Sequence, residues 1–468
     1  MSLCIGVVGG GFTGAILAGH LANTAQMPLS IDVIEPRAAV GFGLAYGSCQ
    51  AEHRVNVPSD RMTVFREEPF HFTYWLQRTG ALAADCEGLA ENGDFYSTRA
   101  DFGRYVAGIF REAAERNPSG SVLRHRRHTA IAVEPSVGGW RVQFDDATSA
   151  EYSDVVLAAT HAAPAWRWPV DAEAAALPHL MANPWDWKAI EAVPKEADVG
   201  ILGTGLTMCD VVVTLRANGH RGRIQAISRR ALTPRSHAGF NTTFDLFGTQ
   251  RPPETAVDLL RLMRARIREA EAGGETWHAV VDALRARLAI YWQTLPLAER
   301  AKIVRHLRAW WDVHRFRIAP QVGSLIAQGQ KEDWLAVRAG RVHRLGRSGD
   351  RLLLDWTPKN GKRTEVAFDA IVNCTGPDSD IGRSPNPMLR RAVDDGFIRA
   401  DALRLGIDVH ASGRAIDRSG SISTGLWATG PLARGVVGEA TGVPEASDHA
   451  RHVAGSLAAT LNVAREIP

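Results

Sequence analysis

Cysteine is scarce and dispersed. The five residues Cys4, Cys49, Cys86, Cys209 and Cys374 form no C-x-x-C pair. That spacing excludes a redox dithiol and argues against a disulfide framework, as expected of a reduced, cytoplasmic protein. No H-E-x-x-H and no Cys/His cluster is present, so no metal and no iron–sulfur centre is expected. No G-x-S-x-G elbow supports a hydrolase. No apolar run approaches the ~18 residues of a membrane span. The N-terminal run has no cationic flank and is broken by three glycines, so it does not read as a signal peptide. Charge of one sign is also lacking: the net charge is +3 over 468 residues. Nucleic acid and membrane are therefore not expected partners. The length suggests about three domains.

What is present is glycine, at two telling places. Leu3 to Val8 read as a buried strand, followed by Gly9-Gly10-Gly11-Phe12-Thr13-Gly14. Gly9, Gly11 and Gly14 make G-x-G-x-x-G. The first glycine turns strand into helix, the second admits a pyrophosphate, and the third lets helix pack on strand. Ile16, Leu17 and Leu21 continue a helix, and Ile31 to Ile34 form a second strand ending in Glu35. An acid there accepts hydrogen bonds from ribose hydroxyls and repels a 2′-phosphate, which suits the adenosine of FAD. A purely structural glycine turn is the bland alternative. Downstream, residues 101–116 carry a helical period. Residues 122–133 and 139–145 read as a hairpin or small meander joined at Gly138-Gly139. Asp154 to Thr160 read as a strand returning to the parallel sheet. Pro164, Pro169, Pro178 and Pro184 mark a boundary.

The pattern then restarts. Val199 to Leu202 lead into Gly203-Thr204-Gly205-Leu206-Thr207-Met208, with Met208 in the third glycine's place. The next strand, Ile224 to Ile227, ends in Ser228-Arg229-Arg230. Guanidinium groups there suit the 2′-phosphate of NADPH. Strands follow around 336–345 and 351–357, then an Asp369-led strand reaching Gly376. The fold class expected is α/β, with two Rossmann-like dinucleotide-binding domains, one for FAD and one for NADPH, and a helical insertion. The expected boundaries are 1–195 plus 366–468, 196–249 plus 319–365, and 250–318 for the insertion.

Residues 250–318 are helical throughout, with Gly273-Gly274 and Pro296 dividing three helices. The segment holds thirteen Lys/Arg against eight Asp/Glu. It reads either as a solvated helical face or as a lid that attracts an anion. His237, His314, Arg315 and Arg317 are the polar candidates for catalysis between the domains. Trp310, Trp311 and Phe316 would supply flat walls.

Taken together, several motifs carry a resemblance. They are Gly9 to Gly14, His53 to Met62, Asn183-Pro184-Trp185, Gly203 to Met208, Gly219 to Arg230, Trp311 to Pro320, Asn373 to Pro377 and Gly430-Pro431. The chain resembles, over nearly its whole length, the bacterial FAD/NAD(P)-binding protein family, whose members are commonly labelled FAD-dependent urate hydroxylase-like. More distantly it is similar to two-dinucleotide flavin monooxygenases, including N-hydroxylases. The sequence departs from the family pattern at Ala159-Thr160-His161, at Val437-Gly438-Glu439 and at Pro444 to Ser447.

The resemblance implies that Asn56, Val57, Pro58, Arg61 and Met62 lie along FAD, with Gly430 and Pro431 at its ring end. Phe12, Thr13, Pro36, Arg37, Tyr46, Thr160 and Gly376 complete the expected FAD and NADPH contacts. It also implies a monooxygenase using O2 through a C4a-(hydro)peroxyflavin. The substrate would be a small polar nitrogen compound, an amine, an amino acid or a purine-like ring. A reductase or dehydrogenase with an external acceptor and a non-enzymatic flavin or NADPH sensor stand as alternatives. Homo-oligomerisation is left open.

Overall fold

The first apolar run forms β1, Cys4–Val8, and the run ending at Glu35 forms β2, Ser30–Ile34. The computed structural model describes residues 3–47, 50–240, 243–248 and 251–466. Cys49 lies outside them. The helix Phe12–Thr24 connects β1 to β2, and the helix Arg99–Glu115 leads to β3, Val122–Arg126. A meander follows: β4, Ala130–Ser136, β5, Gly139–Phe144, and β6, Ser149–Tyr152. β7, Asp154–Leu157, then returns to pair in parallel with β1.

The expected single strand over 122–133 is two strands. β3 extends the parallel sheet beside β2, and only β4 enters the meander. The break falls at residues 127–129, between an edge strand whose VLRHR sequence is largely polar and an apolar strand that packs on β5.

The second half repeats the plan. β8, Leu180–Met181, precedes β9, Val199–Leu202, the helix Leu206–Ala217 and β10, Ile224–Ser228. After the helical segment come β11, Leu335–Ser348, β12, Arg351–Pro358, β13, Thr364–Phe368, and β14, Ala370–Asn373. The chain then supplies β15, Arg414–Ile416, and β16, Ile422–Ala428.

Two sheets result. The first has the order β15-β16-β7-β1-β2-β3, and the second β13-β12-β11-β10-β9-β14-β8. Their central strands are parallel and nearly all apolar, because both faces are covered: helices pack on one, and antiparallel strands pack on the other, the meander on the first sheet and β11 to β13 on the second. β14 lies beside β9 in the second sheet, and β8 pairs with the other edge of β14. A sequence boundary at 366 therefore cuts away a strand that completes the second sheet. An Asp-led apolar strand reads alike in either sheet, so only the pairing distinguishes them.

The first sheet's core joins both ends of the chain. Leu17 and Leu21 pack in one cluster with Val453 and Leu457 of the C-terminal helix Val443–Glu466. The helical segment comprises Ala256–Ala272, Trp277–Thr294, Leu297–Lys302 and Arg308–Arg315. Its expected third helix is interrupted by a π-helical stretch, Ile303–Leu307, with no proline or glycine to announce it. Its own core centres on Val280, Leu284, Trp292 and Leu295. No helix among the described residues is long and apolar enough to cross a membrane.

Candidate cofactor cavity

The two glycine turns have the same construction. Gly9 has φ +106°, and a Cβ on it would lie 2.7 Å from the Ala158 carbonyl oxygen. Gly203 has φ +113°, and a Cβ there would lie 2.1 Å from the Cys374 carbonyl oxygen. Each first glycine thus lets its turn close against the neighbouring strand. The second glycines are open instead. A Cβ on Gly11 would meet only Gly43, at 3.4 Å, and one on Gly205 would meet nothing within 4 Å.

Each turn opens a helix with no side-chain cap and no acid in its first turn. The positive ends of both helices, with their unsatisfied N–H groups, are therefore left for an anion.

A cavity of about 540 Å³ runs over the first turn. That is within the usual range for ligand clefts. Of the expected FAD contacts, Gly9, Gly11, Phe12, Thr13, Glu35, Pro36, Arg37, Tyr46, Asn56, Val57, Met62, Thr160 and Pro431 line it. The others support it from behind. Gly14 packs against Gly9, and Pro58 begins the short 3-10 turn Ser59–Arg61. Arg61 lies over the Phe240 ring. Gly430, at φ +66°, abuts the Thr13 side chain, and its N–H donates to His449 Nδ1 at 3.2 Å. Gly376 precedes Pro377, which lines the cavity.

Glu35 is 3% exposed. Its Oε2 accepts from the Gly10 N–H at 3.0 Å, and its Oε1 accepts from the Arg37 N–H and guanidinium. These bonds hold the carboxylate at the cavity edge.

The second turn reaches the same cavity through Leu206 and Asp210. Gly203, Gly205 and Thr207 sit behind Leu206 on this turn, outside the cavity lining. Ser228 Oγ bonds Thr204 Oγ1 at 2.9 Å and accepts from the Ala231 N–H. Arg229 and Arg230 are exposed and have no ion-pair partner among the described residues.

The four catalytic candidates separate. Arg315 and Arg317 line the cavity, together with Phe316. Both are buried and paired, Arg315 with Glu445 at 3.0 Å and Arg317 with Asp282 at 3.0 Å. His237 stands behind the wall, with its Nε2 2.7 Å from the Asn56 carbonyl. Burial and Arg317 drive its pKa down to about 3, so it is a neutral donor that positions Asn56. His314 faces a different hollow, within the helical segment.

Three features of this cavity were given no role by sequence reasoning. Arg99 and Asp210 both line it and form a bidentate pair, at 2.7 and 2.8 Å, tying the helix Arg99–Glu115 to the helix of the second turn. A separation of 111 residues leaves no local signal for that pair. His161 also lines the cavity and is 8% exposed. Its Nε2 is buried with no hydrogen-bond partner among the described residues, and burial holds it neutral, with a pKa near 4. The departure beside Thr160 pointed to this position. Finally, Ala440 to Val443 close the far end. At the near end His128 lies 3.8 and 3.6 Å from Asp145 and Asp146, which are exposed carboxylates.

Residues 6–162 match the protein family described as FAD-NAD(P)-binding. No curated protein sequence matches the chain. Solved structures match over its full length. The chain is similar to the ornithine N-hydroxylase of Kutzneria sp. 744, solved with reduced FAD, NADP+ and L-ornithine. Identity is 15%, the coverage is 99% of this chain and 100% of that one, and the TM-score is 0.65. It is similar to the L-lysine 6-monooxygenase of Pseudomonas syringae, at 18% identity, full coverage of both chains and a TM-score of 0.64. The reduced ornithine hydroxylase of Pseudomonas aeruginosa matches at 14% identity, 98% and 100% coverage and a TM-score of 0.63. The fold is thus that of two-dinucleotide-binding flavin enzymes.

Proposed function

We propose that the chain is an FAD- and NADPH-dependent monooxygenase that hydroxylates the nitrogen of an amine or amino acid. The observation that carries this reading is the convergence of two uncapped glycine turns on one cavity, with opposite chemistry at their strand ends. Glu35 at the first suits a free ribose. Arg229 and Arg230 at the second suit a 2′-phosphate. The full-length likeness to amine-oxygenating enzymes supports the choice of reaction.

In this reading Gly11 and the first turn of the helix Phe12–Thr24 hold the FAD pyrophosphate, and Glu35 holds the ribose. FAD bound there supplies two-electron chemistry and oxygen activation. Gly203, Gly205, Leu206 and Thr207, with Ser228, Arg229 and Arg230, hold NADPH. His161 offers the cavity a neutral imidazole nitrogen. Phe316, Arg315 and Arg317 wall off water, which a reactive oxygen-transferring site must exclude. The functional division follows the sheets: residues of β1–β7, β15, β16 and the C-terminal helix bind FAD. Those of β8–β14 bind NADPH, and the helical segment covers the substrate.

A screen of NADPH oxidation with L-ornithine, L-lysine and other amino acids, read alongside hydroxylamine formation, tests this. The expected result is stimulated oxidation with product formed. Rapid oxidation that yields stoichiometric peroxide, with no stimulation by any amine, would overturn it.

A further inference from the structure

A second hollow, of about 530 Å³, opens within the helical segment. Its walls include Met263, Leu284, Leu288, Trp292, Leu307 and Trp311. Close packing of such residues would ordinarily leave no space of ligand size. Among the described residues the lining has no Asp or Glu, but it does include Arg264, Arg308 and Arg434.

The charges between this hollow and the cofactor cavity are unevenly matched. One chain of ion pairs runs from Arg317 to Asp282, Arg285, Glu445, Arg315 and Glu439, three cations against three acids. Arg308 and Arg434 share the single carboxylate of Asp312, at 3.4 and 3.8 Å. One positive charge is left over. Arg434 Nε is buried with no hydrogen-bond partner among the described residues. A desolvated guanidinium in that condition favours an added anion.

The two hollows lie back to back. His314 lines the helical one, while Arg315, Phe316 and Arg317 line the other. Gly438 lines the helical one, and Ala440 to Val443 line the other. The Arg434 guanidinium lies 5.9 Å from the Phe316 ring, at the shared wall.

We infer that the helical hollow takes the apolar body of an amphipathic acid, whose carboxylate binds the Arg308–Arg434 pair. Resting on the monooxygenase reading, this makes the substrate an amino acid with a large apolar or aromatic side chain. Its nitrogen, next to the carboxylate, then lies against the shared wall, at the end of the helical hollow nearest Phe316 and the cofactor cavity. A compact dication-forming amino acid such as ornithine would leave the hollow empty.

Calorimetric titration of the full chain tests this, using L-phenylalanine, phenylbutyrate and decanoate as probes and decanol and L-ornithine as contrasts. The acids are expected to bind, with decanol weaker by about tenfold or more, the worth of one charge-assisted bond. Leu288→Trp, which fills the hollow, and Arg434→Gln should each weaken acid binding by about tenfold while remaining folded by circular dichroism. L-phenylalanine should stimulate NADPH oxidation more than L-ornithine does. Acid binding unchanged in both variants would overturn the location. No acid binding, alongside oxidation stimulated by L-ornithine, would overturn the inference but leave the monooxygenase reading standing. Acid binding with oxidation unresponsive to any apolar amino acid would overturn the substrate assignment.

Discussion

Gly11 and Gly14 stand three residues apart and are under different constraints. A Cβ on Gly14 would lie 1.9 Å from the Gly9 carbonyl oxygen, so Gly14→Ala is expected to disrupt the turn and lower the yield of folded protein. Gly11 has room in the free protein. Gly11→Ala is expected to keep the fold, by circular dichroism, and, on the proposed reading, to lose bound flavin, because its methyl group would stand where that reading puts the pyrophosphate. Replacing both Arg229 and Arg230 by alanine should raise KM for NADPH at least about tenfold and leave KM for NADH nearly unchanged. Equal effects on the two would sink the 2′-phosphate assignment.

His449 ties stability to pH. Its Nδ1 accepts from the Gly430 N–H, which requires a neutral ring, and burial lowers its pKa to about 4. In the unfolded chain the ring takes its proton near pH 6.5. Between these values the unfolded state binds the extra proton, so stability is full above about pH 6.5 and lost as pH falls toward 4. His161 behaves alike. Each should cost roughly 1–2 kcal/mol by pH 5. The melting temperature should drop between pH 7 and pH 5, and drop less in His449→Asn.

Among the elements, the helices that open the second turn and precede β3 are coupled by Arg99 and Asp210. Their side chains are only 14% and 12% exposed. Asp210→Ala leaves a buried guanidinium unpaired and should cost roughly 3 kcal/mol in urea unfolding, whereas Arg99→Met with Asp210→Leu should recover most of it. At this scale the sequence was partly legible. Both glycine turns, their flanking strands and the helical segment follow from apolar period and glycine spacing. β3 was read as one strand with β4 because residues 127–129 between them hold no glycine or proline to mark the break. The π-helical stretch at Ile303–Leu307 was missed because an extra residue in a helix carries no composition of its own.

Across the whole molecule, the opposed chemistry of Glu35 and Arg229-Arg230 was readable, since each stands at a fixed distance from its glycines. Which side chains share a wall was not. His237, His314, Arg315 and Arg317 looked like one group, yet they serve Asn56, the helical hollow and the cofactor cavity separately. The ion-pair chain that divides the hollows draws on residues from 282 to 445, and nothing local marks its members.

The first sheet has a consequence in time. Its N-terminal strands wait on β16, and the apolar face with Leu17 and Leu21 waits on the helix Val443–Glu466. During synthesis the first glycine turn emerges at once, but the sheet beside it keeps an open edge until residue 428 has left the ribosome. The nascent chain thus carries an unpaired parallel strand through nearly all of its translation. A chain stopped at residue 413 should therefore partition into aggregates or bind chaperones, although every residue of its first turn is intact.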